Sequence, residues 1–134
     1  TAKPLKTIAG TNGMLFRNCT KELWTSEYNF NLPGSIILGV ELVLKTRRVS
    51  RIQDYTIQLC LNDQLIGDNQ AIPHHVPENS TTYGSPTNTW GAELTKADIE
   101  SNSFGVVISF QSNDQCPHYD RAFVDQIELR IYSA

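Results

Sequence analysis

The sequence predicts an all-β domain, an antiparallel, jelly-roll-like β-sandwich with one short helical turn. Three observations predict it. Apolar and polar residues alternate with a period of two in four segments, the i, i+3, i+4 spacing of an amphipathic helix is almost absent, and Gly, Pro, Asn and Asp punctuate the intervals at turns. The 134 residues suffice for one hydrophobic core and fall short of two. The expected division is an extended N-terminal arm over residues 1–14 and a single sandwich over 15–134.

The clearest strand runs from Ile36 to Leu44. Its even positions Ile36, Leu38, Val40, Leu42 and Leu44 are all aliphatic, so they form one apolar face, while Ile37, Gly39, Glu41 and Val43 form a mixed one. In the next strand Tyr55, Ile57, Leu59 and Leu61 alternate with Thr56, Gln58 and Cys60. Asn62-Asp63 then favours a tight turn, and Leu65-Ile66-Gly67 reads as the hairpin partner. Phe104, Val106, Ile108 and Phe110 mark a third strand, and Phe123, Ile127, Leu129 and Ile131 a fourth. Asp125 falls on the apolar face of that last strand, where it reads either as a metal ligand or as a carboxylate bonding backbone amides.

Weaker strands are expected over Met14 to Asn18 and over Glu27 to Leu32, the second ending at the Pro33-Gly34 turn. Thr95-Lys96-Ala97-Asp98 has a capping hydroxyl with an acid three residues on, which predicts the helical turn. The interval from Asp68 to Leu94 does not alternate, yet it carries His74, His75, Tyr83 and Trp90. A segment this long is either a functional loop or hides short strands. It is the candidate contact surface, together with His118.

Composition excludes some classes. The net charge is −3, and Lys45, Arg47, Arg48 and Arg51 form the one basic cluster, which reads as a solvated turn, so no nucleic-acid partner is expected. No run approaches the ~18 apolar residues of a membrane span. Cys19, Cys60 and Cys116 have neither metal-site nor disulfide-framework spacing and read as reduced thiols. Nothing at Thr1-Ala2-Lys3-Pro4 suggests a secretory signal, and the triplets Asn18-Cys19-Thr20 and Asn79-Ser80-Thr81 matter only in a glycosylating host.

No catalytic or metal constellation stands out, so no enzyme activity and no cofactor are expected. His74, His75, His118 and Asp120 lack an HxH or HExxH arrangement, and adjacent histidines on an extended segment point to opposite sides. Cys116-Pro117-His118 places a thiol near an imidazole, but Pro117 argues for a turn. No pair of acids is distinguished as a glycosidase would need. Trp24, Trp90, Tyr28, Tyr83 and Tyr119 are either sugar-stacking platforms or caps on the open ends of the core.

Several segments taken in order resemble a β-sandwich module of tailed-phage virion structural proteins. They are Phe30-Asn31-Leu32-Pro33, Ile37-Leu38-Gly39-Val40-Glu41-Leu42 and Asp54-Tyr55-Thr56-Ile57-Gln58-Leu59, then Ile66-Gly67-Asp68-Asn69-Gln70-Ala71, Tyr83-Gly84 and Trp90-Gly91. Leu94 to Ile99, Phe104-Gly105-Val106 and the closing Val124 to Tyr132 complete the series, which covers residues 15 to 132. The cysteines and Cys116-Pro117-His118 depart from it. The resemblance implies a virion surface protein made in the host cytoplasm. Its most concrete form is a capsid decoration (cement) protein that binds the major capsid protein and assembles as a homo-oligomer, a trimer being favoured. A receptor- or carbohydrate-binding fibre module is the alternative, with a glycan stacked on Trp90 and Tyr83.

Overall fold

The computed structural model describes residues 5–17, 22–47, 52–72, 79–112 and 121–134. Among them lie eight strands and one helical turn: β1 (Leu5–Arg17), β2 (Glu22–Trp24), β3 (Ile37–Arg47), β4 (Ile52–Leu61), β5 (Gln64–Ile66), β6 (Asn79–Ser85), α1 (Lys96–Glu100), β7 (Gly105–Ser112) and β8 (Arg121–Ser133). They form two four-stranded antiparallel sheets, ordered β1-β8-β3-β6 and β2-β7-β4-β5. Each sheet interleaves early and late strands, as an eight-stranded jelly roll does. The predicted fold class stands.

Alternation places the core between the sheets. Val40, Leu42 and Leu44 of β3, Ile57 and Leu59 of β4, Val106 and Ile108 of β7, and Ile127, Leu129 and Ile131 of β8 are all fully buried. The Asn62-Asp63 turn joins β4 to β5 with both residues at positive φ, 54° and 62°, as a two-residue hairpin of primed type requires. The helical turn forms where expected. Thr95 Oγ1 accepts the Asp98 amide and the Asp98 carboxylate accepts the Thr95 amide, so a reciprocal capping box starts α1.

Phase slips overturn the alternation at four places. Ile36 is 62% exposed rather than inward, because it lies before β3 in an isolated bridge to Thr95, and the β3–β8 register shifts between Ile37 and Gly39. A shift between Asp54 and Thr56 turns Tyr55 outward, 48% exposed, and carries Asp54 inward, 5% exposed. A third shift passes over Asp125: Gln126 pairs with Lys45 while Val124 pairs with Thr46. Val124 thus takes the buried position and Asp125 is half-buried at the bulge, not on the apolar face. Over 27–32 no strand forms. Glu27 and Asn29 both have φ of 59°, which breaks the extended run, and Phe30 and Leu32 instead close one end of the core.

Two further segments differ from expectation. From Leu5 onward the expected arm lies in a sheet: β1 pairs with β8 from Leu5↔Ser133 to Arg17↔Arg121. The interval Asp68 to Leu94 contains β6, which pairs along β3 from Val40↔Ser85 to Thr46↔Asn79. Its residues Asn79-Ser80-Thr81-Thr82-Tyr83-Gly84-Ser85 are mostly polar, as an edge strand with one water-facing side allows, so it leaves little apolar signal.

Candidate functional site

The residues singled out for contact separate in the structure. His74, His75 and His118 lie outside the described residues, as do Cys19, Cys116 and Tyr119. Tyr83 and Trp90 come together, but in the core: Tyr83 is 2% exposed and Trp90 is 0% exposed. Neither ring is available to stack on a sugar, which corrects the contact-surface reading of both. The physical reason is that each aromatic body is large enough to reward burial and each polar tip has a partner inside.

These two residues organise one corner of the sandwich. Trp90 donates its indole N–H to the Val40 carbonyl at 2.9 Å, and its backbone N–H to Asn88 Oδ1 at 2.8 Å. Its carbonyl accepts the Asp68 amide, while Asn88 accepts the Val40 amide and donates to Gln70 Oε1 at 3.3 Å. This conformation needs φ of 59° at Trp90, a region that bulky residues rarely enter and that costs about 1–3 kcal/mol. Gly84 lies beneath the indole at φ 82°, where a Cβ would run into the Val40 carbonyl and stand 2.5 Å from Trp90 Nε1. Gly91 at φ 70° leaves room for the Asp68 carboxylate in the same way.

Beside this corner a buried carboxylate ties the two sheets. Asp54 of β4 accepts the Tyr83 hydroxyl of β6 at 2.7 Å and the Ile72 amide at 3.3 Å. Burial, together with the Asp54 carboxylate, pushes the Tyr83 phenol far above its ordinary range. Next to it, Asn69 fills the place of a strand. Its Oδ1 accepts the Ile57 amide at 2.9 Å and its Nδ2 donates to the Tyr55 carbonyl at 2.9 Å, while the Gln70 amide donates to the Ile57 carbonyl at 2.7 Å. Asp54 and Asn69 are residues that sequence reasoning passed over. The signal at Asp54 was an acid heading an alternating strand. At Asn69 it was only a short polar residue after a turn.

At the β2 edge of the second sheet, Thr25 plays a comparable part. Its hydroxyl donates to the Val106 carbonyl at 2.8 Å, accepts the Val106 amide at 3.2 Å and meets the Tyr28 hydroxyl at 2.6 Å. Burial raises Tyr28 to about 12 and the Cys60 thiol from 9.0 to about 11. Both folded values lie above the unfolded ones, so the protonated native state keeps its full stability below pH 9. That stability falls as pH rises toward and through 11, since only the unfolded chain ionises readily there. Thermal melts should therefore show a midpoint that is flat up to about pH 9 and drops above it. Iodoacetamide at pH 8, with tryptic mapping, should leave Cys60 unlabelled until denaturant is added. A pH-independent midpoint, or rapid native labelling of Cys60, would contradict this assignment.

Among the described residues no group of three His, Cys, Asp or Glu side chains could hold a metal, and no helix is long and apolar enough to cross a membrane. Of the residues whose burial is described, the exposed large hydrophobic ones are Trp24, Ile36, Tyr55, Leu65 and Ile72. Tyr55, Leu65 and Ile72 all belong to the β4–β5 side of the second sheet. That edge, not the aromatic corner, presents apolar surface outward.

No family model matches the chain, and no curated protein matches it. Two solved structures are similar to it. A chain of the cyanophage Pam1 capsid asymmetric unit is 14% identical with a TM-score of 0.49, over 98% of this chain and 87% of that one. FLHE, known from a crystal structure, is 11% identical with a TM-score of 0.52, over 98% of each chain. The likeness to FLHE extends over the whole sandwich and is one of fold.

Proposed function

We propose that this chain is a virion surface protein that works by binding, as a capsid decoration protein joining neighbouring capsid subunits. The carrying observation is the ordered series of segments that resembles the tailed-phage virion module from residue 15 to 132. The fold gives that series a physical sense. Gly67-Asp68-Asn69-Gln70, Tyr83-Gly84 and Trp90-Gly91 are far apart in sequence, yet they interlock at one corner. A module that reuses this corner keeps the sandwich rigid while leaving edges and loops to carry contacts. The reading assigns no catalytic step. Association with copies of itself belongs to the same proposal, through burial of edge and loop surface across subunit junctions.

Particle composition and binding test it together. Quantitative mass spectrometry of purified particles is expected to find the chain in many copies, in fixed ratio to the major capsid protein. The purified chain is expected to bind assembled capsids lacking it and not free capsid subunits. Absence from the particle, or equal binding to free subunits, would rule the decoration role out. A few copies per particle together with binding to host cells would favour a fibre module instead.

A further inference from the structure

β1 and β3 flank β8, and they hold it by different means. Opposite the buried Ile127, Leu129 and Ile131, β3 sets Leu44, Leu42 and Val40, whereas β1 sets Thr11, Ala9 and Thr7. The apolar cross-strand pairing at these levels thus belongs to the β3 side, and β1 depends there on its backbone ladder. Its middle is also poor in strand formers, since Ala9, Gly10, Asn12 and Gly13 are all types that strands avoid. Met14, Leu15 and Phe16 come only at its end, next to residues 18–21, which lead to β2 in the other sheet. β8 is the one described strand with which β1 pairs. Opening of β1 therefore leaves the order β8-β3-β6 and the whole second sheet in place. It bares the long edge of a core strand, which other backbone can then cover.

We infer that β1 is an exchangeable strand, and that the β8 edge it leaves takes the β1 of a second copy of this chain. β1 is the strand whose fit to that edge the fold displays. Its 13 residues run along β8 in one unbroken register, even at Asp125, where β3 has to shift. The same ladder made between two copies restores every backbone bond that opening breaks, so concentration rather than fit limits the exchange. This exchange rests on the self-association contained in the reading above and gives it a segment.

Cysteines placed in separate chains test it. One variant carries Asn12→Cys and another Gln126→Cys, positions that stand opposite each other in the β1–β8 ladder. Neither chain can close this link by itself, and each variant oxidised alone gives the background from the native cysteines. A single chain carrying both substitutions checks that the geometry allows the bond. Should it stay open, Thr11→Cys and Ile127→Cys take over, since neighbouring pairs alternate between the two ladder types. Coexpressed, concentrated to the high micromolar range and oxidised, the two variants are expected to give a covalent heterodimer on non-reducing gels. Its tryptic peptides 7–17 and 122–130 should be joined. Cross-linking no greater than background overturns the exchange. Sedimentation of that sample then separates the readings: a mass above the monomer keeps self-association without the exchange, and a monomer mass overturns both.

Discussion

Trp90→Ala is expected to destabilise the protein by about 3–5 kcal/mol, the range for emptying a fully buried aromatic site. The indole is completely enclosed and bonds the Val40 carbonyl, so the variant leaves both a cavity and an unmet buried acceptor. Part of the loss is offset. Alanine at φ 59° is less strained than tryptophan is, and the bonds that the residue 90 backbone donates to Asn88 and accepts from Asp68 involve no side chain of residue 90. Equilibrium urea unfolding measures the change. A loss below about 1 kcal/mol would mean the corner collapses without cost, and the keystone role assigned to Trp90 would be wrong.

Gly84→Ala should come close to this, with an expected loss of about 2–5 kcal/mol from backbone strain and overpacking acting together. At φ 82° an L side chain is disfavoured whatever the space, and the new methyl group would meet the Val40 carbonyl and the indole nitrogen. The Val40 carbonyl belongs to a strand held on both sides and cannot retreat, so the indole must move and its hydrogen bond must break. Because the two substitutions act on one contact, their losses should not add. The double variant Gly84→Ala, Trp90→Ala is expected to fall short of the sum by more than about 0.5 kcal/mol, and strict additivity would show that the sites do not share the indole contact.

Much of the sandwich was legible in the sequence, for a definite reason. Where a strand has one face in the core and stays in phase, burial imposes the alternation, and Val40, Leu42 and Leu44 or Ile127, Leu129 and Ile131 report it directly. A bulge erases the signal locally. Nothing in Asp54-Tyr55-Thr56 announces that the acid turns in and the aromatic turns out, because a one-residue slip leaves composition unchanged. β6 was hidden for another reason: from Ser80 to Ser85 it sends one residue, Tyr83, into the core.

The candidate site was legible as a place and illegible as an environment. The aromatic residues of 68–94 do gather, but tyrosine and tryptophan have the same amphipathic chemistry on a surface and in a satisfied core. The glycines beside them were the better clue. Tyr83-Gly84 and Trp90-Gly91 each set a missing Cβ next to a bulky ring, as close backbone approach demands. Asn69 could not have been found this way, since its role depends on β5 stopping short, a property of another segment.

The bulge near the start of β8 has a consequence for how the chain can vary. β1 keeps one register with β8 throughout, Asn12 with Gln126 and Met14 with Val124, so Gly13 stands opposite Asp125 and the extra residue is extra only against β3. Deleting Asp125 alone would let β8 run on against β3 with Val124 still inward, but would slip it by one residue against β1, and deleting Gly13 alone would do the same to that pair. Loss of both at once would leave the ladder continuous. Length changes in these two strands are therefore tolerable only as a matched pair, and in natural variants of this protein the two positions should be gained or lost in step.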